Sequence, residues 1–538
     1  MKAQIKSKLR RSRTWLTARP LQLKSFYWRG LTRIQPRNPW PHYHLAKVQL
    51  QQQNWSEAEA LFRRCLALDK TIALAHHELG DVLQQQGKFE AAAGAYQQAI
   101  ALNPDFSWSH HNLGDARRHQ QDWQGAINAY QDAIQLAPDC FESHHNLAQT
   151  YSQAEQWQAS ATAYQKAIDL ASQSQNPPFQ LLYDYAGLLL RLNNTSTLGD
   201  VYLKTIEVNP EFSWFYHFIF WRTLKAEERL PEAEKAYKNA LKQHPNSTEV
   251  YINLGEALSH QDKISDALPY YKQALQRQLA KPYPKLARFC EADSDRNDLK
   301  TAPDFIILGA QKAGTSSLYM YLTQHPNVIS ALRKEVEFWS WKYRRGHDWY
   351  FAHFPPLPEA GKFLTGEACP GYLDFYVTPE RIREFLPNVK FMVLLRNPVD
   401  RAISHYYHWV RRQQETLPLP EAIAAAKKEL EKQGNAWDLP SNYLARGIYV
   451  EFIQHWFSLF PREQFLFLES EAFYQNPAAS LKQVYQFLGI PDHPLTDHRK
   501  YNAGSYRPAE ADIRQELQAF YEPYNQELQT LLNCEFSW

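Results

Sequence analysis

Cysteine is scarce in this chain: five in 538 residues, at positions 65, 140, 290, 369 and 534, with no CxxC pair and no regular spacing. That excludes a disulfide-stapled module and a cysteine-based zinc site, and it favours a reducing cytosol. Charge imbalance is also missing, with a formal net charge of +2, which argues against general binding to nucleic acid. No apolar run approaches the length of a membrane span, and no signal-peptide core follows the N-terminal charges. Acidic residues are missing from the start of the chain. The first is Glu57, whereas eleven lysines and arginines lie between Lys2 and Arg37, interleaved with Trp15, Leu16, Leu21, Phe26, Tyr27 and Trp28. Residues 1–38 therefore read as a basic lead-in. It suits peripheral contact with an anionic membrane or an acidic partner, packing on the element that follows, or a cleaved organelle-targeting peptide.

What the first half does have is a period. Phe62, Tyr96, Tyr130 and Tyr164 are spaced by 34, as are Gly80 and Gly114, and Pro104 and Pro138; after an irregular unit, Tyr202, Tyr237 and Tyr271 continue at 35 and 34. The segments HHELGDVLQQQGKFEAAAGAYQQAIALNP and HHNLGDARRHQQDWQGAINAYQDAIQLAP display the shared pattern. It matches tetratricopeptide repeats, helix pairs that cannot bury their apolar faces singly and so stack into a superhelix with a concave groove. Seven repeats are expected over residues 39–279, with the tyrosine at position 96 serving as packing against small residues.

The first helix of each repeat should line the groove. His76, His77, His110, His111, His144 and His145 recur there, and Asn112, Asn146 and Asn253 share one position. Such an asparagine ladder suits the backbone of an extended peptide or protein ligand. It resembles the repeat domain of protein O-linked N-acetylglucosamine transferases, although Glu78 and His44 interrupt it. The plainer reading is a solvated polar face. The paired histidines lack metal-ligand spacing within one helix, and no metal is expected.

Residues 280–302 lose the period and read as a linker or cap, and 303–538 as an α/β domain. Its expected strands are Phe305–Leu308, Val328–Leu332, Phe363–Glu367, Phe391–Leu395 and Phe465–Leu468, in a parallel sheet covered on both faces. In FIILGAQKAGTSSLYMYL, a buried strand runs into a glycine-bracketed turn and then a helix, which is a phosphate- or sulfate-binding arrangement. It differs from the ATP and GTP loop, because Lys312 comes two positions before Gly314 and Thr315 follows that glycine directly. In VKFMVLLRNPVDRAISHYYHWV, a second strand ends in Arg396, Pro398 suits a helix start, and Ser404 follows eight residues after the arginine. Arginine and serine so placed can grip one phosphate. Carboxylates stand just beyond the second strand, in RKEVEFWSWKY.

The two cofactor stretches resemble those of sulfotransferases that use PAPS, 3'-phosphoadenosine 5'-phosphosulfate. The likeness is to the heparan sulfate type and to bacterial members with a tetratricopeptide extension, and it spans about residues 303–510. It implies an N-terminal all-α superhelix followed by a P-loop-like α/β domain with a central parallel sheet. By this resemblance Gln311, Lys312, Ala313, Gly314, Thr315, Ser316 and Ser317 hold the 5'-phosphosulfate, and Arg396 and Ser404 hold the 3'-phosphate. Arg499, Asn502 and Tyr506 lie in RKYNAGSYRP, the place of the late cofactor loop. Lys312 would stabilise the departing phosphate oxygen, and Glu335 would be the base. Glu337 competes for that role, since an extended 334–338 would put both acids on one face. TGEACPGYL resembles the acceptor-side loop, with Ala368 where glycosaminoglycan enzymes often carry lysine. Trp339, Trp341, Trp349 and Tyr350 are candidates either for stacking on sugar rings or for core. The expected function is a cytoplasmic sulfotransferase acting on a carbohydrate hydroxyl. The alternatives are a protein-tyrosine sulfotransferase and a repeat scaffold with an inactive nucleotide-binding domain.

Overall fold

The computed structural model describes residues 20–174, 177–290, 299–358, 362–412, 414–436, 442–501 and 509–538. The chain forms two compact units. One comprises the chain up to Pro210 together with Arg222–Arg229, and the other comprises Glu211–Trp221 with Leu230–Trp538.

In the first unit the helix Leu21–Ile34 precedes five helix pairs: Pro39–Gln51 with Trp55–Leu68, Ala73–Gln85 with Phe89–Leu102, Ser107–His119 with Trp123–Leu136, Phe141–Gln153 with Trp157–Ser174, and Phe179–Arg191 with Thr195–Val208. A sixth pair, Phe218–Ala226 with Leu230–Gln243, straddles the division, and a seventh, Thr248–Ser259 with Ile264–Ala280, lies in the second unit. Three of the repeats share a steric constraint. A methyl group at Gly80, Gly114 or Gly255 would stand 2.5, 2.6 or 2.7 Å from the ring of Tyr96, Tyr130 or Tyr271, so these three pairs pack as closely as they do only because the facing residue is glycine. The turn inside each pair repeats too: Gln53, Gly87, Gln121, Glu155, Asn193, Glu228 and Asp262 all have a positive φ.

The asparagine ladder is a correction to the sequence reading. Asn112 donates to Asp81 at 2.8 Å and Asn146 to Asp115 at 2.9 Å, and Tyr96 and Tyr130 donate to those same carboxylates. A buried amide beside a carboxylate of the preceding repeat bonds within the protein first, because leaving either group unpaired is costly. Asn253 is fully buried and donates to the Phe212 carbonyl. The helix Leu21–Ile34 packs on the first repeat, with Trp28 stacked on His44 at 4.4 Å; the rest of the basic lead-in, residues 1–19, lies outside the described residues.

The second unit holds a five-stranded parallel sheet. Its strands are β1 (Phe305–Gly309), β2 (Val328–Ser330), β3 (Leu364–Ala368), β4 (Lys390–Leu395) and β5 (Phe465–Glu469), in the order β2-β3-β1-β4-β5. Near-continuous burial of β1 and β4 follows from helices on both faces and explains why they read as unbroken apolar runs. Because β1 pairs directly with β4, the two segments expected to bind phosphate leave the sheet side by side at its carboxyl edge. Among the described residues no helix is long and apolar enough to cross a membrane.

Candidate active site

The turn after β1 is shaped by backbone geometry. Lys312 has φ +71° and Gly314 φ +106°, and Gly314 opens helix α1 (Thr315–Leu322). A side chain at 314 would be doubly excluded, by that φ and by the Tyr474 hydroxyl 2.6 Å from its Cβ. The turn is pinned from three sides. Ala310 N–H donates to Leu394 O at 2.7 Å, the Ser470 hydroxyl to Ala313 O at 2.7 Å, and Arg396 Nη1 to Lys312 O at 2.9 Å. Arg396 thus meets the glycine turn directly, while its own carbonyl accepts from the Tyr449 hydroxyl at 3.0 Å.

Helix α2 (Pro398–Arg411) starts at Asn397, whose side chain accepts from Val399 N–H at 2.9 Å and caps it. Ser404 is buried on this helix. His408 lies one turn on, with Nδ1 3.4 Å from Lys312 Nζ, and Arg411 and Arg412 follow at the spacing of the same face. Burial, then the charges of Arg411, Arg396, Arg412 and Arg401, push the Lys312 pKa down to about 8. Burial, then the charges of Lys312, Arg412 and Arg411, push His408 down to about 4, so it is a neutral acceptor for the lysine at neutral pH. Arg401 is fully buried and donates to the Tyr443 carbonyl, yet its Nε and Nη1 have no partner among the described residues. Five cations therefore act on one turn, and among the described residues no carboxylate pairs with the lysine at its centre.

The other residues of the turn divide between ligand-facing and supporting positions. Gln311 is held by Arg446, which also donates to Asp374 at 3.0 Å in a buried ion pair. Ala313 and Thr315 are buried, and Ser316 is half-buried. Ser317 is fully buried and accepts from Tyr501 N–H at 3.1 Å, so its hydroxyl fastens the late segment to α1. Tyr321 donates to Arg499 O at 3.0 Å, which brings that segment to the same helix, whereas the Arg499 guanidinium is exposed and paired with Asp497 at 2.6 Å. Asn502 and Tyr506 lie outside the described residues.

The acidic segment follows β2. Glu335 is half-buried with Lys334 as its ion-pair partner, and its backbone is stitched to β3: Ala368 N–H donates to Lys334 O at 2.9 Å and Val336 N–H to Glu367 Oε2 at 3.1 Å. Glu337 has φ +60°, so the chain turns there and is not extended through 338, and the condition for both acids to share one face is not met. Its carboxylate lies 3.5 Å from Lys342. Trp339, Trp349 and Tyr350 are fully buried and belong to the core; Trp341 is 62% exposed. The 369–373 turn links this side to the other, since Cys369 and Leu373 N–H groups donate to Ile307 O and Leu308 O of β1.

Sequence reasoning missed His408, Arg411 and Arg412, although the 404, 408, 411, 412 spacing on one helix face could have found them. It could not point to Glu367, Asp374 or Arg446, whose partners are remote in sequence. Glu367 is fully buried and accepts from Val336 N–H, from Tyr350 at 2.7 Å and from Tyr372 at 3.2 Å. Burial raises its pKa to about 7, against the pull of those three donors. A folded-state value above the ordinary one means the folded chain holds more protons, so this group lowers stability as pH rises from about 4.5 to about 7. Glu367→Gln should flatten that fall, read as melting temperature between pH 5 and 7.5. Glu367→Ala should cost about 3 kcal/mol or more in urea unfolding, because three buried donors lose their acceptor; an unchanged midpoint would contradict the network.

Comparison with known proteins bears on the same residues. The family described as "Sulfotransferase domain" matches residues 302–512, and tetratricopeptide repeat families match 42–73, 77–140, 143–178 and 224–287. Heparan sulfate glucosamine 3-O-sulfotransferase 6 of Mus musculus is 31% identical over 261 residues, covering 44% of this chain and 73% of the relative. Human bifunctional heparan sulfate N-deacetylase/N-sulfotransferase 3 is 28% identical over 267 residues, covering 43% of this chain and 30% of the relative. Among solved structures, a sulfotransferase from Alicyclobacillus acidocaldarius is 30% identical and overlaps 44% of this chain and 98% of its own, with a TM-score of 0.39. With the repeat period in its first half, and with an identity of 31% covering 73% of a relative, the chain belongs to the sulfotransferase family and carries its transferase domain behind tetratricopeptide repeats.

Proposed function

We propose that this sulfotransferase takes its sulfo group from PAPS and delivers it to a carbohydrate hydroxyl. The observation that carries the reading is the cation cluster: Lys312 lies within the electrostatic reach of Arg396, Arg401, Arg411 and Arg412, with no carboxylate on the lysine among the described residues. A cluster of this kind, next to the free N–H groups of a helix start, is matched by a ligand carrying several phosphate charges. The heparan sulfate relatives favour a carbohydrate acceptor.

A bound PAPS supplies an activated sulfo group on its 5'-phosphate. The chain's own part is positioning and charge. Lys312 offsets the negative charge gained by the 5'-phosphate oxygen as its bond to sulfur breaks. Glu335 accepts the proton that the acceptor hydroxyl loses as its oxygen bonds to sulfur. Arg396 and Ser404, at the end of β4 and on α2, are assigned to the 3'-phosphate, and the peptide groups of 312–317 to the 5' end.

Isothermal titration with 3'-phosphoadenosine 5'-phosphate (PAP), 5'-AMP and ATP tests the donor side, and radiolabelled PAPS with oligosaccharide acceptors tests the reaction. PAP should bind most tightly of the three. Arg396→Ala should weaken PAP about tenfold to a hundredfold, the worth of one charge-assisted contact, and shrink the preference for PAP over 5'-AMP. Unchanged selectivity in that variant would remove the 3'-phosphate assignment.

A further inference from the structure

The sixth repeat begins irregularly. Its first helix, Phe218–Ala226, has nine residues, where the first helices of the five pairs before it have thirteen each, and residues 211–217 ahead of it are not helical. This stretch belongs to the same compact unit as the transferase domain. It is anchored firmly. Asn253 of the seventh repeat donates to Phe212 O at 2.8 Å and accepts from Trp214 N–H at 3.3 Å, and buried Trp214 stacks on Phe220 at 3.9 Å. The far side of the stretch meets the acidic segment. Ser213 accepts from Arg333 at 3.3 Å, the Lys342 ammonium sits 4.2 Å over the Phe215 ring, and the Tyr216 hydroxyl accepts a long contact from Glu335 N–H at 3.5 Å. Next to it, burial and the Arg412 charge hold the His217 pKa below its ordinary value. Residue 216 therefore borders the Glu335 segment.

We infer that Tyr216, delivered by the repeat array, is an acceptor-positioning residue, and that with Trp341 it forms a platform for a saccharide of low charge. This rests on the carbohydrate reading above. Tyr216, in contact with Glu335, is 48% exposed, and Trp341, six residues further along the same segment and packed on Phe375 at 4.8 Å, is 62% exposed. The C–H face of a sugar ring packs on such rings, and its hydroxyl edge needs donors and acceptors beside them. The Tyr216 hydroxyl accepts from Glu335 N–H, which leaves its own proton for an acceptor oxygen.

The charge class follows from the acidic segment itself, where four cations have a carboxylate partner: Arg333 with Glu249, Lys334 with Glu335, Lys342 with Glu337 and Arg345 with Glu256. Ala368 adds none. A polysulfated chain would have to break these pairs to find a counter-charge, and a neutral saccharide would not.

The test uses the full chain, radiolabelled PAPS, a library of neutral oligosaccharides and a matched set of sulfated heparin fragments. The neutral set should be sulfated with at least about tenfold higher kcat/KM, one ion-pair rearrangement's worth. Tyr216→Ala should raise the KM for the best neutral acceptor about tenfold, the scale of one lost aromatic contact, with PAP affinity unchanged. Tyr216→Phe should restore most of that loss, separating ring from hydroxyl. An unchanged KM in Tyr216→Ala, or a preference for the sulfated fragments, overturns the inference and leaves the sulfotransferase reading standing. An equal fall in PAP affinity would mean a damaged fold and also overturns it. A wild-type chain that binds PAP and sulfates no saccharide ends the carbohydrate reading and this inference together.

Discussion

Glu335→Gln should slow sulfo transfer by about two to four orders of magnitude, the range for removing a general base, and leave PAP affinity within about twofold. The substitution preserves shape and removes only the ability to take a proton. The backbone at 335 is held independently of its side chain, by Ala368 N–H on Lys334 O and by Glu367 on Val336 N–H, so the segment should keep its place. The companion variant Glu337→Gln should lose less than about tenfold, because Glu337 turns away at φ +60° and already pairs with Lys342. Single-turnover rates on both variants decide the matter. If Glu337→Gln is the slower enzyme, the base is Glu337 and the assignment of Glu335 is wrong.

Lys312→Ala should cost about a hundredfold to a thousandfold in turnover, comparable to removing one preorganised charge stabiliser, and much less in donor affinity. Four arginines remain to hold the nucleotide, and they repel one another less once the ammonium is gone. Equal turnover in the variant would rule out a charge role for Lys312. A pH signature accompanies the prediction. In the ligand-free chain the Lys312 pKa is about 8 against an ordinary value of 10.5, so between those values the folded chain binds fewer protons than the unfolded one. The destabilisation this causes is present in full below pH 8 and is relieved as pH rises through that window. A polyanion at the turn reverses the repulsion and raises the pKa again. PAP binding measured at pH 8.5 should therefore take up protons, seen as a heat that varies with the buffer's ionisation enthalpy, and PAP affinity should fall as pH rises above 8. Lys312→Ala should abolish both effects.

Much of the donor side was legible because it is local. A strand, a turn and a helix start are written within a dozen residues around Gly314, and the arginine at the end of β4 is recognisable from the apolar run before it. Arg411 and Arg412 went unread, although their helix spacing after Ser404 was there to find them. The base segment was only half legible. Glu335 and Glu337 alternate as they would on a strand, and the left-handed turn at 337 that separates them has no signature in the residue types. The groove asparagines misled for a related reason: a periodic polar residue looks available until a neighbouring repeat is seen to place a carboxylate against it.

By itself the sequence determined the close packing of three repeats, through glycines that tyrosine rings leave no room to replace, and the turn after β1, through a backbone that favours glycine at 314. Both are consequences of short-range sterics. Only the tertiary structure decided what lies around the reacting groups: the buried Glu367 under the base segment, Arg446 spanning Gln311 and Asp374, and a repeat-array tyrosine beside Glu335. Those depend on burial and charge shared between segments up to 135 residues apart, as with Arg446 and Gln311. The energy of such contacts is set by where the chain returns, which no local pattern encodes.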